Sequence, residues 1–98
     1  MYEHGSRVHG PFSTLFSLPN ALTVSRLGIA ATKKIGGAVE RNRAKRLIRE
    51  VFRRNKIAPG IDVVVVPRRE LLNARLTILE EEFRSNLARS LRKARKPA

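Results

Sequence analysis

The chain has no cysteine, which excludes disulfides, thiol nucleophiles and cysteine-built zinc sites. Acidic residues are scarce. Asp and Glu number 8 against 21 Lys and Arg, giving a formal net charge of +13. Such an excess opposes the compact state through self-repulsion and makes a polyanion the natural partner. No apolar run approaches the ~18 residues of a membrane span. No signal peptide with a small-residue cleavage site is present either. These absences lead to the expectation of a soluble, cytoplasmic protein without a membrane partner. Repeats and low-complexity linkers are missing, and 42% of the 98 residues are hydrophobic. That suits one domain over residues 1–98 with one modest core.

Catalytic groupings are also lacking. His4 and His9 lie in a stretch without helical period, with only Glu3 nearby, and read as surface histidines. Glu80, Glu81 and Glu82 are consecutive on a helix and diverge, so they do not converge on a metal. Gly36-Gly37 has neither a P-loop nor a dinucleotide-binding pattern and reads as a strand-to-helix turn. No catalytic residue and no metal site is expected in this chain.

What is present is a basic amphipathic helix, expected from about Ala38 to Asn55. At 100° per residue, Ala44, Leu47, Ile48, Val51 and Phe52 share one apolar sector. Opposite them stand Asn42, Lys45, Arg46, Arg49 and Arg53, on successive turns of one face. Solvated helix faces ordinarily mix both signs, whereas Glu40 and Glu50 only flank this row. Arginine's planar fork binds phosphate in bidentate fashion and stacks on bases. Asn42 adds a neutral donor and acceptor able to read a base edge. The face is suited to RNA or DNA.

The other elements are simpler. Phe12 to Leu18 predicts a strand of mixed character, stopped by Pro19-Asn20. Arg26 to Thr32 predicts a second strand. Pro59-Gly60 is a turn before Ile61-Asp62-Val63-Val64-Val65-Val66, whose β-branched run predicts a central strand buried on both faces. Thr77 and Glu80 have capping-box spacing, and Leu79, Phe83, Leu87 and Leu91 form the core stripe of a last helix. Strand alternation puts Phe12 and Phe16 on one face, where they are core or line a surface together. Sheet aromatics beside a basic helix can stack unpaired bases. One α+β domain accounts for these elements.

Lys33-Lys34-Ile35-Gly36, Ala38-Val39, Arg41-Asn42-Arg43, Lys45-Arg46, Arg49-Glu50 and Phe52-Arg53 together resemble a known family, the protein subunit of bacterial ribonuclease P. Arg26-Leu27-Gly28-Ile29 before this run, Asp62 with its valines after it, and the Leu/Phe/Arg-rich last helix agree in order. The resemblance implies a small mixed four-stranded sheet with packed helices and a left-handed βαβ crossover, against the usual right-handed rule. It implies two partners, the catalytic RNA of ribonuclease P and precursor transfer RNA, and no obligate protein partner. The RNA, with Mg²⁺ bound mainly by RNA and substrate, hydrolyses the bond that frees the 5′ leader. The protein binds that leader in a cleft between sheet and basic helix.

By matching position the resemblance gives Tyr2, Phe16, Arg41, Asn42 and Lys45 to the leader. Arg43, Arg46, Arg49 and Arg53 go to the RNA subunit, with Lys33 and Lys34 supporting either RNA. Family members usually begin with a basic, aromatic-containing helix, most of which is expected to be missing here, along with one cleft aromatic. Leader binding is then weaker, or the natural start lies upstream. A general RNA-binding protein of ribosomal or chaperone type is the alternative, and it predicts no dependence on a leader.

Overall fold

The computed structural model describes residues 6–95, with side chains to 93. Its order is β1 (Ser6–His9), β2 (Ser13–Pro19), β3 (Arg26–Ile29), α1 (Ala38–Arg54), β4 (Ile61–Pro67), a 3₁₀ turn (Arg69–Asn73) and α2 (Leu76–Arg95). The strands form one mixed sheet in the order β1-β2-β4-β3. β1 and β4 run antiparallel to β2, while β3 runs parallel to β4. Parallel neighbours need a crossover, and α1 supplies it between β3 and β4.

Both helices pack against the same face of the sheet. Leu15 of β2 and Val63 and Val65 of β4 meet Ala44, Ile48 and Val51 of α1, and Leu79, Phe83 and Leu87 of α2, in one buried cluster. The apolar stripes expected for both helices are therefore core. Small residues under α2 let it come close: Ser17 and Ser90 hydroxyls lie 2.5 Å apart, and Ser90 Oγ donates to the Ser6 carbonyl at 3.0 Å. Glu82 accepts the Phe12 N–H at 2.7 Å and the Ser13 hydroxyl at 3.1 Å. These bonds tie the β1–β2 turn to α2. Lys93 Nζ donates to the Arg7 carbonyl at 3.1 Å.

Several expectations need correction. Ser6–His9, read as irregular, is a strand: Ser6 and Val8 are buried while Arg7 and His9 are exposed. A serine on the inner side hid its alternation. The strand expected over Arg26–Thr32 ends at Ile29, although the Ala30 N–H still bonds Val65 O at 3.0 Å. β4 is interior in the sheet but buried on one face only, since Val63 and Val65 are inside while Val64 is half-buried and Val66 exposed. Among the described residues no helix covers its other side. Thr77 is not an N-cap, because α2 already begins at Leu76 and the Leu79 N–H bonds Arg75 O. Phe12 and Phe16 do not share a face. Phe12 lies in the turn before β2 and packs on the core, while Phe16 is on the opposite face of the sheet.

Candidate nucleic-acid interface

α1 is built to hold its basic face outward. Gly36, at φ +142°, adopts a backbone conformation that a side chain would strain. Glu40 then reaches back to accept the Gly37 N–H at 3.0 Å, satisfying one orphan donor and placing an acid at the positive end of the helix. At the other end, the Asn55 side-chain amide donates to Val51 O at 2.7 Å. Ile35, 1% exposed, fixes the approach, so the exposed Lys33 and Lys34 project just before the first turn.

On the helix, Asn42, Arg43, Arg46, Arg49 and Arg53 are exposed and Lys45 is half-buried. Arg53 grips Glu50 at 2.6 Å, and Arg54 bridges Glu50 and Glu80. Hydrogen bonding to Arg53, above all, lowers the Glu50 pKa. Among the described residues, Arg43, Arg46 and Arg49 form no ion pair. Arg41 is half-buried and donates to the Gly36 carbonyl at 3.0 Å.

The second part of the interface is the sheet face opposite α1 and α2, which no helix covers among the described residues. Register puts Arg7, Phe16, Val64 and Gly28 side by side across the four strands, with His9, Thr14 and Val66 in the row on one side and Leu18, Asp62 and Arg26 in the row on the other. Arg7, His9, Thr14, Phe16, Val64 and Val66 line an open hollow of about 470 Å³. Thr14 and Val66 also border a neighbouring hollow of about 380 Å³, whose far side carries Lys34, Arg68 and Arg69. The two adjoin at Thr14 and Val66, and together they make a groove with an apolar floor and an end where Lys34, Arg68 and Arg69 outnumber Glu70.

Phe16 lines the first hollow and Lys34 the second. Arg41, Asn42 and Lys45 line neither hollow and stand on α1, beyond the Lys34 end. Tyr2 lies outside the described residues. Sequence reasoning missed Val64, Val66, Arg68 and Arg7, because the valine run reads as uniformly buried. Asp62 is the signal that could have found them: a carboxylate two residues before Val64 marks an open face on that side.

A sheet face with an aromatic and apolar floor, flanked by an arginine-faced helix, makes this a basic α+β protein with a surface suited to nucleic acid. The ribonuclease P sequence model matches residues 1–91. The ribonuclease P protein component of Dehalococcoides mccartyi is 37% identical over 86 residues, which cover 88% of this chain and 72% of that protein. The RNase P protein from Thermotoga maritima superposes with a TM-score of 0.78 at 34% identity, over 90% of this chain and 86% of that one. The Staphylococcus aureus RNase P protein gives 0.72 at 29% identity, over 89% and 82%. The chain belongs to the ribonuclease P protein family. It is thus a subunit of an endoribonuclease, in which catalysis is carried by RNA.

Proposed function

We propose that the protein binds the ribonuclease P RNA through the exposed face of α1, and the single-stranded 5′ leader of precursor transfer RNA along the uncovered sheet face. The observation that carries this reading is the groove, where Phe16, Val64 and Val66 form an apolar floor ending at Lys34, Arg68 and Arg69. Stacking on an aromatic floor holds unpaired bases whatever their identity, at ~1–3 kcal/mol each. Cations at the groove end hold the phosphates. Arg43, Arg46 and Arg49, with Arg53, serve the RNA subunit, while Lys33 and Lys34 stand where the two RNAs meet. Arg41, Asn42 and Lys45 extend the leader path from the groove onto α1.

Cleavage of the phosphodiester bond belongs to the RNA with Mg²⁺. The residues here do not fit a metal site, since no three carboxylates or histidines come together among the described residues. Hard cations of this kind are held by oxygen ligands, phosphates included, and the RNAs supply those. The protein's contribution is affinity and alignment. Among the described residues no helix is long and apolar enough to cross a membrane, and the reading places the protein in the cytoplasm with its RNAs.

The test is cleavage of precursor transfer RNA at low Mg²⁺ by a bacterial ribonuclease P RNA, with and without the protein, on long and one-nucleotide leaders. Stimulation that grows with leader length is the expected result. Stimulation independent of leader length removes the groove from the reading, and no stimulation returns the protein to general RNA binding.

A further inference from the structure

The third row of the uncovered face ends in an arrangement that the leader groove does not explain. Arg26 donates from Nε to Asp62 Oδ1 at 2.8 Å and from Nη2 to Oδ2 at 2.7 Å. Asp62 Oδ1 also accepts the Asn20 amide at 2.7 Å. Asn20 is fixed in turn: its amide donates to Val24 O at 3.1 Å, its side-chain oxygen accepts the Leu22 N–H at 2.7 Å, and its own N–H bonds Gly60 O at 2.9 Å. The carboxylate is therefore clamped from two sides. Hydrogen bonds from Arg26 first, and Asn20 second, hold its pKa down at about 2.

An exposed ion pair adds a modest amount to stability, and bracing the carboxylate from two sides also fixes the plane of the Arg26 guanidinium. The Arg26 side chain remains 61% exposed. A guanidinium has five N–H donors in a planar fork, and Asp62 engages only the Nε/Nη2 edge. The Nη1/Nη2 edge is left to solvent, already oriented, and it matches two oxygens of a phosphate. Beside it on β3 is Gly28, whose missing Cβ would meet only Val64 Cγ2, at 3.6 Å. The floor there lies low enough for a nucleic-acid backbone to come close.

We propose that Arg26, oriented by Asp62 and Asn20, is a phosphate anchor for single-stranded RNA on the uncovered sheet face, at the end opposite Lys34 and Arg68. This rests on the reading of that face as the leader groove. The strand is then gripped at both ends, with its bases over Phe16, Val64 and Val66 between them. Val66 and Asp62 are four residues apart on β4, or ~13 Å along the strand, so only a leader of several nucleotides spans both grips. Asn20 and Asp62 are positioning residues and Arg26 makes the contact.

The holoenzyme, reconstituted with the full chain, separates this from charge alone. The quantity to measure is the ratio of long-leader to one-nucleotide-leader affinity for wild type, R26K and D62N. R26K keeps the charge and loses the fork. D62N removes a negative charge, so electrostatics alone would tighten leader binding, whereas loss of positioning weakens it. The ratio is expected to fall about tenfold in R26K, the scale of one charge-assisted bond, and severalfold in D62N. A leader-dependent wild type whose ratio R26K matches overturns the anchor alone, and a D62N ratio at or above wild type overturns the positioning. A wild type without leader dependence overturns the anchor together with the reading beneath it. Thermal unfolding of each variant accompanies the titrations, and R26K decides if D62N fails to fold.

Discussion

Phe52 of α1 meets Phe83 of α2 edge to face, with ring centroids 6.2 Å apart and planes at 79°. This pair joins the helix that carries the arginine face to the helix that backs the sheet. Phe83 is 6% exposed and belongs to the main core. Phe83→Ala loses that packing and leaves a cavity, at a cost of ~3–5 kcal/mol. Urea unfolding is the measurement, with a lower midpoint and an unchanged slope expected. Phe83→Leu should cost clearly less.

On the exposed side of the same helix, Arg43, Arg46 and Arg49 act as separate phosphate contacts. Replacing any one with alanine should weaken RNA-subunit binding and reduce the salt slope of log K by about 1. Arg53→Ala should do less, because Arg53 is already bonded to Glu50. Titrations at several KCl concentrations distinguish these outcomes from a folding defect, which would leave the slope of the remaining folded protein unchanged.

Phe16→Ala removes the aromatic part of the groove floor. The expected loss is ~1–3 kcal/mol of long-leader affinity, with RNA-subunit affinity unaffected. Phe16→Leu restores area without a stacking face, so it should recover little. Equal losses on long and one-nucleotide leaders would contradict the assignment.

Glu82→Ala unties the β1–β2 turn from α2, leaving the Phe12 N–H and Ser13 hydroxyl without their acceptor. Unsatisfied, partly buried donors cost ~1–3 kcal/mol. Gly10→Ala probes the same junction from the other side. A Cβ there would lie 2.4 Å from Glu82 Oε2 and 2.6 Å from Asn86 Nδ2, and Asn86 is only 2% exposed. Both variants should lower the unfolding midpoint.

Acid tests the Arg26–Asp62 pair. The Asp62 pKa falls from 3.8 to about 2 on folding. A depressed carboxyl adds stability above its unfolded pKa, and that stability is lost as pH drops through the folded value. Between pH ~4 and ~2 the unfolded chain therefore binds the extra proton. Asp62→Asn should flatten the fall in stability across that window by up to one proton, measured by urea unfolding at each pH. Equal slopes in the two proteins would show that Asp62 is not held in its ionised form.

The helices were the more legible part of the fold. α1 could be read almost to its ends because Ala44, Ile48 and Val51 keep a 3.6-residue period against a cationic face. β1 escaped notice, since its inward Ser6 looks like a surface residue until α2 is seen to need a small side chain there. Phe12 falls outside the alternation its sequence suggests, because Glu82 captures its N–H in a turn before β2 begins. The groove floor was hidden for a related reason: periodicity marks which residues are apolar, but whether a second helix layer covers Val64 and Val66 is decided by the packing of both helices on the opposite face.

That valine run has a consequence for how the strand finds its place. A β-strand shifted by one residue turns its inner side chains outward, and hydrophobic contrast normally forbids the slip. Between Val63 and Val66 there is no contrast, so β4 in either frame would offer valines to both sides. The decision falls to the ends. Asp62 must meet Arg26 and Asn20 in the open, and Pro67, buried opposite Ser13, has no N–H to give to a neighbour. With a fifth valine at position 62, the strand would carry no internal mark of inside and outside, and Arg26 would lose the partner that fixes its frame.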